Sequence, residues 1–391
     1  MKYIFTNFGS GNGPYIRTID MGIELINILK EKFNEEFSIL SPLVYGNRQK
    51  RIINEEFGEI LEKQPDLILF DEYIGQQFKK ILFDGRNYDI IMQELVSSYD
   101  NVEKKIQEYL TKQELLSKNI HGKPIKVKGK DIILEVSRNP NVATNIKYSY
   151  YTSVGYFEKI ILKSIENPNL KLNKNFLKNI LPIAKKIESY QQLYFQPEPN
   201  CFSYEKDDNY FKDNEIRCPP LFHPPKENKT EIIEGFYVLV SGIPFLKRIY
   251  HYTKKISYKI YTNQILEDFK EAQRENPIII SNKNIKFIFA RPAWNTIWLA
   301  NLSKKPLIFL DYEQGDFPEI YFNIISVNKH KLGMKFKEDL RIENIIEQSK
   351  SNIPEIVQFY EKIGRKYGTL DGIKFSCKLI AEDFLKKFNS N

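Results

Sequence analysis

Cysteine, histidine and tryptophan are all scarce in this chain, at three, four and two among 391 residues. Cys201, Cys218 and Cys377 stand far apart with no CxxC spacing, which excludes a disulfide framework or a zinc ribbon and fits a reducing compartment. His121, His223, His251 and His330 pair with no carboxylate at metal-ligand spacing, so no protein-bound catalytic metal is expected. No run of about 18 apolar residues exists that could form a membrane-spanning helix. The longest uncharged apolar stretch, 236–246, is interrupted by Ser241, Gly242 and Pro244 and reads as a strand and a turn. Residues 1–9 read as a first strand, too short and too polar for a signal peptide. Blocks of one charge are missing as well. The net charge is +8, but lysine is spread along the chain rather than gathered into an arm, so nucleic acid is not the expected partner. A phosphate-bearing ligand or an anionic membrane surface uses the same charge. The expected location is the cytoplasm, with peripheral residence at a membrane left open.

What is present is enough to build cores: 42% hydrophobic residues, 14% of the chain aromatic. A chain of this length exceeds one ordinary core and predicts two domains. The first part alternates strand and helix. A β-prone run at 2–8 meets the turn Gly9-Ser10-Gly11-Asn12-Gly13-Pro14, and 15–33 carries apolar residues at helical spacing. Strands are predicted at 37–40, 65–71 and 89–92, with a polar helix at 50–63. Residues 123–136 read as a hairpin or edge strands, and 156–165 and 175–194 as helices, the second threatened by Pro182.

Pro-rich residues 201–229 read as an interdomain linker, after which the alternation restarts. Strands are predicted at 235–241, 257–261, 277–280, 285–289 and 306–311. Helices are predicted at 245–253, 265–274, 293–302, 353–366 and 376–388. The architecture this implies is α/β, with two Rossmann-like, doubly wound domains. Residues 1–200 form the first, 230–370 the second, and 371–391 a terminal helix that packs back on the first domain.

The most informative stretch is Phe289-Ala290-Arg291-Pro292-Ala293-Trp294-Asn295-Thr296. A strand ends, the chain turns at Arg291-Pro292, and a helix begins with proline at its first position. The N–H groups of Ala293, Trp294 and Asn295 would then point outward with the positive end of the helix dipole, where a diphosphate binds in such folds. Arg291 and the Thr296 hydroxyl would supplement them. An ordinary buried strand–helix unit has the same pattern, and both readings stay open. After the next strand comes a loop of acids and amides, Asp316, Glu319 and Asn323 among them, where ligands of open α/β sheets bind. A solvated surface loop is the alternative there.

In this region the chain resembles the GT-B glycosyltransferases, the UDP-sugar transferases and the peptidoglycan N-acetylglucosaminyltransferase in particular. Asn295-Thr296, then Lys305-Pro306-Leu307-Ile308, then Asp316, Glu319 and Asn323 follow that family's order. Gly11-Asn12-Gly13 matches its acceptor-side loop, and Ser241-Gly242 its second glycine turn. The resemblance implies two domains facing across a cleft and a nucleotide-diphosphate sugar donor, UDP-linked, transferred with inversion and without metal or other cofactor. It implies donor contacts from Ser241, Gly242, Arg291, Ala293, Asn295, Thr296, Asp316, Glu319 and Asn323. Three departures stand out. Leu299 replaces the glutamate that holds the ribose, Pro292-Ala293 replaces a glycine pair, and Asn12 lies where the family carries an acceptor-activating histidine.

With no histidine available, Asp71 or Glu72 is the expected base; helix capping is the competing role for both. The acceptor is not indicated. Lys163, Lys171, Lys174, Lys178, Lys185 and Lys186, set among Phe176, Leu177, Ile180, Leu181 and Ile183, outline a basic amphipathic helix. It either rests on anionic lipid and presents a lipid-linked acceptor or packs its apolar face on the domain. A nucleotide-sugar epimerase and a non-catalytic binder of nucleotide or sugar are the alternative functions.

Overall fold

A computed structural model describes the whole chain except residues 10, 34, 83–86, 206–211, 241–257, 265–270, 338–340 and 391. The chain separates into two compact units. One comprises Met1–Gln196, Tyr210–Arg217 and Ile373–Asn391; the other comprises Pro197–Asn209 and Cys218–Gly372.

The first unit is built on nine strands. They are β1 (Lys2–Phe8), β2 (Phe37–Pro42), β3 (Ile68–Asp71), β4 (Leu115–Lys118), β5 (Pro124–Val127), β6 (Ile132–Arg138), β7 (Ser149–Thr152), β8 (Leu193–Pro197) and β9 (Glu215–Cys218). Their order is β5-β4-β3-β2-β1-β6-β7-β8-β9. β1, β2, β3, β6, β7 and β8 pair in parallel, and the β4–β5 hairpin adds two antiparallel strands at one edge. Strands 1 to 3 spread one way and strands 6 to 8 the other, so the topological switch lies between β1 and β6. β1 is buried along nearly its whole length, as a parallel strand covered on both faces must be. Its polar Asn7 survives inside because its amide donates to Glu135 and to the Val142 carbonyl, each at 2.8 Å.

Helices cover this sheet: α1 (Asn12–Lys30), α2 (Gly46–Lys63), α3 (Glu72–Phe78), α4 (Tyr88–Leu110), α5 (Phe157–Glu166) and α6 (Lys174–Glu188). The strand expected at 89–92 is the first turn of α4. The Asn87 side chain caps the Asp89 amide at 2.9 Å, and Tyr88, Ile91, Met92, Leu95, Tyr99 and Val102 recur at helical spacing to fill one buried face. Pro182 sits inside α6 without ending it. The 201–229 segment, expected as a linker, contributes β9 to the sheet edge.

The second unit carries a parallel sheet of six strands. They are β10 (Gly235–Leu239), β11 (Lys259–Thr262), β12 (Gln273–Arg274), β13 (Ile285–Ala290), β14 (Leu307–Phe309) and β15 (Met334–Lys335), ordered β12-β11-β10-β13-β14-β15. The order reverses between β10 and β13, whose last residues Leu239 and Ala290 lie in register. Phe236 and Phe287 stack at 4.7 Å within a core that includes Val238, Phe289, Ile308 and Phe336. Helices α7 (Trp294–Leu302), α8 (Pro318–Lys329), α9 (Ile342–Ser351) and α10 (Ile353–Tyr367) belong to this unit.

The strand expected at 277–280 is a 3-10 turn, Pro277–Ser281, capped by Asn276 on the Ile278 amide at 2.9 Å. Proline at its start favours a turn over a ladder it cannot donate to. The helix expected at 245–253, and most of that at 265–274, lies outside the described residues; 273–274 form β12.

The last helix, α11 (Gly372–Asn389), returns to the first unit. There Tyr150 donates to Asp383 at 3.0 Å, and Phe384 packs edge-on against Tyr148 at 5.2 Å.

Candidate functional site

The switch point of the second sheet is where the sequence places its diphosphate turn. β13 ends at Ala290, Arg291-Pro292-Ala293 turn outward, and α7 begins at Trp294. Proline is not the first helical residue: Ala293 is the N-cap, at φ −80° and ψ 144°. The Ala293 amide is also spent, donating to the Arg291 carbonyl at 2.8 Å. Its own carbonyl accepts from Thr296 at 2.9 Å and Ile297 at 3.0 Å, closing the first turn. The helix therefore opens at Trp294, with the positive end of its dipole at this turn. Trp294 and Trp298, both buried with ring centroids 5.9 Å apart, fix the helix from below, and Thr296 is nearly buried beside them.

Four residues predicted from sequence meet around this turn. Arg291 pairs with Asp316, the two side chains 12% and 5% exposed. Burial pulls the Arg291 guanidinium below its ordinary range against the pull of Asp316, and burial raises Asp316 against the pull of Arg291. Both directions say that desolvation exceeds attraction for this pair. Asp316 further accepts from the Phe317 amide at 2.7 Å, at the start of α8. From within α8 the Asn323 amide donates to the Pro292 carbonyl at 3.0 Å and to Glu319 at 3.3 Å. The turn is thus tied to the neighbouring helix at two points.

The same geometry corrects the role expected of Asp316 and Glu319 as contacts for sugar hydroxyls. Both are buried and bonded within the protein, and Asn323 has no exposed surface. Of the polar groups of that loop, Gln314 is exposed and Glu313 is half-buried. Sequence reasoning passed over them because loop composition does not distinguish inner from outer side chains. Ser241 and Gly242 lie outside the described residues; Val240, just before them, is held by Asn263 through bonds of 2.7 and 2.9 Å.

In the first unit the glycine turn occupies the other switch point, after β1. Gly11 caps α1 at φ +93°, a left-handed conformation that side chains disfavour, and its amide donates to the Tyr45 hydroxyl at 2.9 Å. Gly11, Asn12 and Gly13 are all partly exposed.

Asp71 does not fit the base expected there. It is fully buried at the end of β3, where it caps α3 by accepting from the Ile74 amide at 2.8 Å. Tyr109 donates to its second oxygen at 3.0 Å and Ser117 at 3.4 Å. Burial pushes its pKa up to about 6 against these donors. An acceptor hydroxyl cannot reach it. Glu72 is exposed and pairs with Lys118 at 2.9 Å.

Comparison with protein-family models and with curated protein sequences finds no match. Solved structures do match, over almost the whole chain. The calicheamicin glycosyltransferase CalG4 aligns with TM-score 0.54 and 10% identity, covering 99% of this chain and 98% of its own. The glycosyltransferase SnogD from Streptomyces nogalater aligns with TM-score 0.54 and 8% identity, covering 97% and 99%. UGT89C1 from Arabidopsis thaliana, solved complexed with UDP, aligns with TM-score 0.56 and 9% identity, covering 98% and 99%. At such identities the fold is what is shared. It is the GT-B fold of these glycosyltransferases, with two Rossmann-like units.

Proposed function

We propose that this chain is a glycosyltransferase that takes a sugar from a nucleotide-diphosphate donor, UDP-linked, and passes it with inversion to an acceptor hydroxyl. The observation that carries the reading is the coincidence of the second sheet's switch point with the Arg291-to-Thr296 turn. Open α/β sheets bind ligands at the carboxyl ends of strands where the order reverses. The fold shared with CalG4, SnogD and UGT89C1 supports it, as does the UDP bound to the last of these.

The chemistry follows from charge. As the glycosidic bond to phosphate breaks, negative charge grows on the diphosphate. The positive end of α7 at Trp294 and the Arg291 guanidinium are fixed groups that stabilise it without reorganising. A metal is not needed for that role. Asp316 and Asn323 act as positioning residues, holding Arg291 and the Pro292 carbonyl. Gln314 and Glu313 take the sugar hydroxyls. Gly11 to Gly13 let the acceptor approach the backbone. Glu72, the reachable acid after β3, takes the acceptor's proton, while Asp71 anchors the helix that carries it.

The burial of Asp71 favours one second reading, a nucleotide-sugar binder without turnover. Calorimetry with UDP, GDP and dTDP, followed by a donor-hydrolysis assay, separates the two. Binding with slow hydrolysis supports the transferase, and binding with none supports the binder. Failure of every nucleotide to bind would end both. For Glu72→Gln the expected outcome is lost hydrolysis and transfer with unchanged UDP affinity; wild-type turnover removes Glu72 as the base.

A further inference from the structure

The two strands that meet at the switch point of the second sheet, β10 and β13, each lead into backbone held by an asparagine side chain. Past β13, the Asn323 amide holds the Pro292 carbonyl at 3.0 Å. Past β10, the corresponding residue is Asn263. β10 ends at Leu239, and the last pair of the β10–β11 ladder is Val238 with Thr262, so the Val240 peptide lies beyond it. Val240 is buried, and a backbone amide or carbonyl left unpaired there is costly. Asn263 satisfies both groups. Its side-chain oxygen accepts from the Val240 amide at 2.7 Å, and its side-chain nitrogen donates to the Val240 carbonyl at 2.9 Å. A side-chain amide carries the same donor and acceptor as a peptide, so Asn263 adds one rung where the ladder has stopped.

The turn that ends β11 sets Asn263 in place. The buried Thr262 hydroxyl donates to the Gln264 carbonyl at 3.1 Å and accepts from the Gln264 amide at 3.3 Å, closing a local loop around Asn263. Strand order makes the two asparagines opposites. β11, which Asn263 follows, flanks β10 on the side away from β13. α8, which carries Asn323, follows β14, and β14 flanks β13 on the side away from β10. Each strand exit is therefore fastened outward, and a ligand at the switch point lies between the two exits.

We propose that Asn263 is a positioning residue for the nucleotide-diphosphate donor: by fastening the end of β10 to β11, it keeps the switch point open opposite the Arg291-to-Thr296 turn. Asn263 acts through the Val240 peptide and not on the donor itself. The inference rests on the donor-site reading and adds to it the residue that holds the second side of that site.

Calorimetric titration of the full chain with UDP, well below the melting temperature and beside thermal melts of the same samples, tests it. Asn263→Ala releases both bonds, and UDP affinity falls about tenfold, the worth of one to two net hydrogen bonds. In donor hydrolysis the same variant raises KM and leaves kcat near the wild-type value, because one side of the site has moved and the reacting groups have not. A purely structural residue lowers the melting temperature and leaves the affinity of the folded protein unchanged. Asn263→Asp keeps the acceptor for the Val240 amide but sets an oxygen against the Val240 carbonyl. It loses UDP affinity in the same direction, and it carries the test if the alanine variant fails to fold. If the wild type binds UDP and either folded variant binds it equally well, the role of Asn263 is overturned and the donor site stands. If the wild type binds no nucleotide, the donor site falls and this inference with it.

Discussion

Neutralising Asp316 separates what the Arg291–Asp316 pair does for folding from what Arg291 does for a ligand. Asp316→Asn keeps the volume of the side chain and an oxygen that can still accept from the Phe317 amide. It removes only the counter-charge. Arg291 is then left as a cation 12% exposed, with only the charge of Glu319 still acting on it. Breaking a buried pair from one side costs about 3–5 kcal/mol, and the residual exposure of Arg291 places this case near the lower bound, about 3 kcal/mol. For a unit of this size each kcal/mol moves the melting temperature by roughly 2–4 °C, so the variant melts about 6–12 °C lower.

The ligand pulls the other way. With Asp316 neutral, the guanidinium is wholly available to a diphosphate, so UDP binds Asp316→Asn at least as tightly as wild type. UDP at about 100 times its Kd returns about 2.7 kcal/mol of the loss. Arg291→Met leaves Asp316 unpaired, lowers stability by a similar amount, and weakens UDP. Burial outweighs attraction on both partners, so the double variant Arg291→Met/Asp316→Asn recovers most of the single losses. Thermal melts and UDP titrations on the four proteins complete the cycle. A double variant that simply adds the two losses refutes the coupling, and an Arg291→Met protein with wild-type UDP affinity removes Arg291 from the phosphate site.

Two further outcomes follow from buried groups. Glu188 lies wholly inside the first unit, and burial pushes its pKa up to about 7 despite Lys212, Tyr151 and the Phe157 amide. Its protonated form favours the fold, so its stabilisation is complete below the ordinary carboxylate range near pH 4.5 and fades as pH rises through 7, by about 3 kcal/mol. Glu188→Gln flattens that window in urea unfolding at pH 5 and pH 8; a pH profile equal to wild type contradicts the assignment. At Gly372 the amide donates to the Pro220 carbonyl at 3.0 Å, and a Cβ would collide with the Pro219 and Pro220 carbonyl oxygens. Gly372→Ala therefore lowers stability by about 2–4 kcal/mol, because backbone rather than a movable side chain must give way. A melting temperature equal to wild type would show that the two segments part without cost.

Several elements were legible from local pattern. Continuous apolar runs such as 67–70 and 287–290 marked parallel strands, because a strand covered on both faces has no polar side. The Arg291-to-Asn295 turn was legible too, since a strand ending in Arg-Pro before an aromatic helix has few conformations open to it. The errors have local causes. At 89–92 the three apolar residues after Asp89 suit a strand or a helix equally, and the Asn87 cap together with the packing of α4 chose the helix. At 291–293 the sequence does not show that the Ala293 amide folds back on Arg291, which moves the N-cap one residue past the proline.

The order of apolar and turn residues along the chain was sufficient to determine that strands and helices alternate, that they do so twice, and where helix openings could meet an anion. Side-chain exposure within one loop was decided only in three dimensions. Asp316 and Glu319 face inward to Arg291 and Asn323, while Gln314 faces out. Asp71 likewise became a buried cap because α4 and β4 bring Tyr109 and Ser117 to it from 38 and 46 residues away. Periodicity fixes which face of an element is apolar. Which polar group is drawn inside depends on partners that are distant in the chain and adjacent only once it has folded.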